Sequence, residues 1–188
     1  MKTKDLAYIA LFAAIVAVLG LLPPVPVPGI PVPITAQTLG VMLAGSVLGA
    51  RRGGLALLVF LALVAVGMPV LSGGRGGLGV FVGPSAGFLY SWPVAAFVIG
   101  LLTERLWRRY NLAWALVANL IGGILVVYAI GIPFLSLFGD VPLSAAFTGS
   151  MAFVPGDLVK AVAASLVAVA VHKAYPVIEL PARRATAR

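Results

Sequence analysis

The sequence predicts an all-α integral membrane protein, one six-helix transmembrane bundle occupying residues 1–188 with both termini in the cytoplasm. Three observations predict it. Apolar residues make up 62% of the chain and charged residues only 10%, against roughly 25% charged in soluble domains. Mean hydropathy is +1.13. Six apolar stretches follow one another, and Lys and Arg crowd into alternate gaps between them, the pattern of a chain that keeps its basic loops on the cytoplasmic side.

The first span is read at 6–22. Lys2 and Lys4 ahead of it imitate a signal peptide. The apolar run is longer than the roughly 7–15 residues of a signal core, however, and Pro23-Pro24 follows without an Ala-x-Ala pattern, so the span is read as retained. It carries small residues at Ala10 and Ala14, and again at Ala13 and Ala17, a spacing that lets another helix approach closely. Pro23 to Pro33 holds six prolines in eleven residues, which predicts a stiff, extended external connection. The second and third spans, 35–50 and 53–68, are short for a bilayer of roughly 30 Å, and are expected inside the bundle. Gly45-x-x-x-Gly49 in the second span is read as a packing face, and Thr35 as its N-cap.

A glycine-rich connection, Ser72 to Gly83, leads into the fourth span at 84–107. The fifth is read at 112–134, the segment 135–154 as a third external loop, and the sixth span at 155–174, with Pro155 in its first turn. This alternation places eleven of the thirteen Lys and Arg residues inside, including Arg183, Arg184 and Arg188 of the tail. It leaves Arg75 outside and Lys160 within a span. The basic residues form no continuous face that would track phosphates, which argues against nucleic acid. With no cysteine, thiolate chemistry and disulfides are excluded.

Asp157 and Lys160 are the residues from which a function is read. Ionisable groups inside a span cost several kcal/mol and mark sites, and a spacing of three puts both on one helix face near the helix start, where the dipole favours the carboxylate. A self-satisfied ion pair is the alternative. Gln37 is placed to read an amide-like or urea-like group or simply to start its helix. Tyr90 offers an apolar wall with a polar tip, and Arg75 a clamp for a carboxylate or a solvated charge. Gly74-x-Gly76-x-x-Gly79 matches a dinucleotide fingerprint but has no preceding strand, and the single His172 lies far along its helix from Asp157; neither indicates a cofactor, a metal or catalysis.

Three segments then suggest a family. The runs from Pro31 to Gly40, from the glycine-rich connection through Gly83-Pro-Ser-Ala-Gly-Phe-Leu89, and from Phe153 to Lys160 resemble the BioY family. These are the biotin-specific substrate-binding (S) components of energy-coupling-factor (ECF) transporters. The resemblance implies six helices, a biotin pocket opening outward, and no enzymatic activity. It also implies that Asp157 and Lys160 line the pocket, with Arg75, Gln37 and Tyr90 as further candidates. Docking through Ala10 and Ala14 to a transmembrane T component with paired ATPases is implied as well, or self-association if the protein acts alone, in a prokaryotic cell membrane. An S component for thiamine or riboflavin is the competing reading. An intramembrane enzyme would need a serine with a base, a metal cluster or several intramembrane acids.

Overall fold

The computed structural model describes residues 2–175 and 177–178; Met1, Arg183, Arg184 and Arg188 lie outside the described residues. Among these, six helices make the bundle: α1 (Thr3–Leu19), α2 (Gln37–Leu48), α3 (Ala50–Ala65), α4 (Ala86–Arg105), α5 (Leu112–Phe138) and α6 (Leu143–Ala174). The helices α4, α5 and α6 are long and apolar enough to cross a membrane. Their outer surfaces stay apolar, as with Val94 and Phe97 on α4, Val117 and Leu125 on α5, and Val162 and Leu166 on α6. Helices that are apolar all round belong inside a protein or in lipid, and these exposed faces belong to the second case.

The short spans lie where their length requires. The twelve residues of α2 rise only about 18 Å at 1.5 Å per residue, and nine of them are buried, so packing against α3, α4 and α6 sets their ends rather than lipid. Gly49 alone connects α2 to α3. Its φ of +83° is one that L side chains avoid, and a Cβ there would run into the Glu104 carboxylate, which accepts the Ala50 N–H at 2.8 Å. The Gly45 spacing is used internally, since a Cβ at Gly45 would meet Ile99 and the Ala96 carbonyl of α4. Arg52 pairs with Asp5 of α1 at 3.2 Å and donates to the Val177 carbonyl, which binds α1 into the bundle at the basic end.

Two boundaries differ from expectation. The segment read as a third external loop contains a helical piece, Leu143–Ser150, which continues through one 3₁₀ turn at Met151–Phe153 into Val154–Ala174. Pro142 starts that piece and Ser, Thr and Gly residues fill it, a composition that reads as loop. Within α5, the six residues Ile121–Val126 form a π-helical turn. Gly122 and Gly123 there leave room for Ile99 and Met42.

Below the middle of the bundle, toward the basic end, the interior is closed twice. Met42, Ile99, Ala118, Ala161 and Ala164 form one buried layer. Beneath it, Ser46 donates to Asn119 at 3.0 Å, and Asn119 donates to Ser165 at 3.0 Å and to the Ala115 carbonyl at 3.1 Å, all three residues fully buried. His172 then contacts the Ser46 carbonyl at 2.8 Å under the Trp107 and Tyr110 rings.

Candidate functional site

At the other end, the interior opens into a cavity. Apolar side chains make most of it: Phe88, Leu89 and Trp92 from α4, Phe153 and Val127, and Ile34 from the proline-rich connection. That connection folds back on itself through paired bonds between Val25 and Ile34 at 2.9 and 2.8 Å, which delivers Thr35 and the start of α2 to the cavity edge.

Asp157 and Lys160 project into this cavity from α6 and are joined at 2.8 Å. The groups they engage come from three other segments: one backbone carbonyl and two hydroxyls. Lys160 Nζ also donates to the Thr35 carbonyl at 2.7 Å and to Thr38 Oγ1 at 3.0 Å, so its three N–H groups are all used. Asp157 Oδ1 accepts from Lys160 and from Thr38 at 3.2 Å, and Oδ2 accepts from the Tyr128 hydroxyl at 2.7 Å. One acceptor direction on Oδ2 is left. Asp157 is 4% exposed, and a charge this buried is tolerated because its ion pair with Lys160 is held by three further groups, the Thr35 carbonyl and the Thr38 and Tyr128 hydroxyls.

Arg75 borders the same cavity. Its Nε donates to the Ser72 carbonyl at 3.3 Å and Nη1 to Ser85 Oγ at 3.5 Å. Among the described residues, three of its five N–H groups have no protein acceptor and no acidic side chain pairs with it. With Asp157 and Lys160 cancelling, the cavity carries one net positive charge.

Gln37 borders the cavity too, but its amide is engaged elsewhere. Nε2 donates to the Val16 and Val70 carbonyls at 3.0 and 3.1 Å, and Oε1 accepts the Ser72 N–H at 2.9 Å. The side chain thereby ties the end of α1 and the glycine-rich connection to α2. Thr35 does not cap α2: Ala36 occupies that position with no side-chain bond, and Thr35 contributes its carbonyl to Lys160 instead. Tyr90 does not reach the cavity. Its hydroxyl donates to the Phe81 carbonyl at 2.7 Å, and its ring packs on Phe81 and Phe134 with 42% of the residue exposed. Tyr128 holds the place expected for it. The signal for Tyr128 was a hydroxyl in an otherwise apolar span, the same signal that Tyr90 gave. On α1, Ala10 and Ala14 lie on the exposed face while Ala13 is buried.

A membrane-embedded helical bundle with a mostly apolar cavity, one buried carboxylate and a guanidinium free to accept an anion defines a membrane component that binds a small organic anion. Comparison with known proteins narrows the class. The BioY family model matches residues 1–177, and the chain belongs to the BioY family. It is 55% identical to the biotin transporter BioY of Rhizobium etli, over 97% of this chain and 100% of that one. It is 47% identical to the probable biotin transporter BioY of Bacillus subtilis, over 93% of each. Among solved structures, the S-component for biotin from an ECF-type ABC transporter superposes with a TM-score of 0.87 at 35% identity, covering 92% of this chain and 95% of that one.

Proposed function

We propose that this protein is a biotin-uptake S component, which captures biotin from outside the cell and delivers it to the cytoplasm without covalent chemistry. The observation that carries the reading is the pairing, in one cavity, of a neutralised Asp157–Lys160 couple with the unpaired Arg75 guanidinium. Biotin has matching parts: a ureido ring that donates and accepts, an apolar thiophane and chain, and a carboxylate. The remaining acceptor direction of Asp157 Oδ2 takes a ureido N–H. Phe88, Leu89 and Trp92 cover the apolar middle, and Arg75 holds the carboxylate with the charge-assisted geometry that a guanidinium fork provides. Gln37 and Tyr90 act from outside this contact set, as ties that hold the cavity wall.

The net positive charge separates this reading from the nearest rival. Thiamine is a cation and would enter a site of like sign. Titration calorimetry of the detergent-purified protein with biotin, with thiamine as control, tests it: heat with biotin and none with thiamine is the expected result, and a folded protein that gives no heat with biotin overturns it.

Delivery requires energy that this bundle has no nucleotide site to supply among the described residues. A T component with paired ATPases is the proposed partner, docking on the exposed Ala10 and Ala14 face of α1. Self-association is the alternative for a protein acting alone. The basic end faces the cytoplasm and the cavity the outside of a prokaryotic cell membrane, crossed six times.

A further inference from the structure

A second concavity lies on the lateral surface. The first part of α5, Leu112–Leu120, packs along Val154–Ala174 of α6, but beyond the π-helical turn α5 leaves that segment, and Val127–Phe138 packs instead on Leu143–Ser150. The wedge between them is a concavity open to one side. Leu120, Ile124 and Leu125 of α5, and Phe147, Val154 and Leu158 of α6, form its sides. Its floor is Tyr128, whose hydroxyl is already taken by Asp157. Tyr128 thus borders the ligand cavity on one side and the wedge on the other.

We infer that one phospholipid acyl chain, from the leaflet on the side of the cavity mouth, occupies this wedge and forms the outer support of the Tyr128 wall. The rim residues Leu125, Phe147 and Leu158 are exposed and continue into the apolar surface of Val117, Ile121, Val162 and Leu166 that faces the bilayer. What borders the wedge is therefore hydrocarbon. The wedge offers a polar headgroup or a polar protein surface nothing, because its one polar side chain is occupied. An empty wedge would forfeit contacts along its whole lining, whereas a chain inserted there makes dispersion contacts on both sides, which a chain in the open bilayer makes only with other mobile chains.

Native mass spectrometry of the ligand-free, detergent-purified protein titrated with phosphatidylglycerol reads this without reference to biotin. One lipid is expected to remain bound under activation that strips the rest. Ala129→Trp, which fills the wedge from its α5 side, and Leu125→Trp, at its rim, are each expected to reduce that adduct about fivefold or more. Val18→Trp, on the exposed face of α1, is expected to leave it unchanged. Thermal unfolding in detergent shows whether each variant is folded. An adduct equally strong in folded Ala129→Trp and Leu125→Trp proteins overturns the inference, as does the absence of any retained lipid. A retained second copy of the chain that both substitutions release also overturns it, and assigns the wedge to a protein contact.

Discussion

Replacing Asp157 by Asn removes one charge from the most constrained part of the cavity and changes little else in shape. In the native arrangement the carboxylate accepts three hydrogen bonds, from Lys160 at 2.8 Å, Tyr128 at 2.7 Å and Thr38 at 3.2 Å. An amide oxygen can keep Lys160 and Thr38, but its NH₂ then faces the Tyr128 hydroxyl, which must turn from donor to acceptor. The last acceptor direction, the one assigned to the ligand, is lost with it. Hydrogen bonds to a charged group contribute about 1.5–3 kcal/mol each, so losing the one to biotin weakens binding by at least about tenfold, or roughly 1.4 kcal/mol. Lys160 keeps the Thr35 carbonyl and Thr38, which limits but does not abolish the cost of stranding an ammonium; the fold loses about 3 kcal/mol, the low end for a broken buried pair. Calorimetric titration with biotin measures the first effect, and thermal unfolding of the unliganded protein in the same detergent measures the second. A folded Asp157→Asn protein that binds biotin as tightly as the native one would refute the assignment of Asp157 to the ligand.

Tyr128→Phe keeps the ring that separates cavity from wedge and removes a single hydrogen bond, so biotin binding weakens by about 1 kcal/mol, roughly fivefold, whereas Tyr90→Phe, whose hydroxyl serves only Phe81, leaves the titration unchanged. Arg75→Gln weakens biotin more than a neutral analogue such as the biotin methyl ester, and the difference between the two ligands closes in the variant; equal losses for both would remove Arg75 from the carboxylate. Ala14→Leu places a larger side chain on the exposed face of α1, so uptake of labelled biotin by cells falls while calorimetric binding by the purified protein stays as it was. Gly100→Val drives a side chain into the backbone of Gly49 and Ala50, and is expected to lower the unfolding temperature by several degrees, consistent with overpacking costs of about 1–3 kcal/mol.

Hydropathy and the Lys and Arg asymmetry made the six apolar helices legible, because length and charge along the chain are what they measure. The Asp157–Lys160 pair was legible for a related reason: a charge within an apolar run has few explanations other than a site. Faces were harder to read. A soluble helix announces its inner side by its apolar stripe, but a helix apolar all round gives no such stripe, so the sequence reading names Tyr90 and passes over Tyr128, although Tyr90 points at Phe81 and Tyr128 at Asp157. Gln37 shows a second limit. Its partners lie 21, 33 and 35 residues away, and no local pattern records that an amide will be enclosed by them. Thr38 escaped notice because a threonine in the first turn of a helix is ordinary; only the fold brings α6 to it.

The two closures beneath the cavity also determine what the protein does while it waits. Ser46, Asn119 and Ser165 bond to one another and to backbone, and the layer above them is methyl groups and one thioether, so among the described residues side chains pack against one another between the cavity and the basic end. A proton or a sodium ion arriving at Asp157 meets these packed side chains. Cells producing this protein in excess should therefore show no added ion conductance, loaded or unloaded, and the membrane potential is left intact between one vitamin molecule and the next.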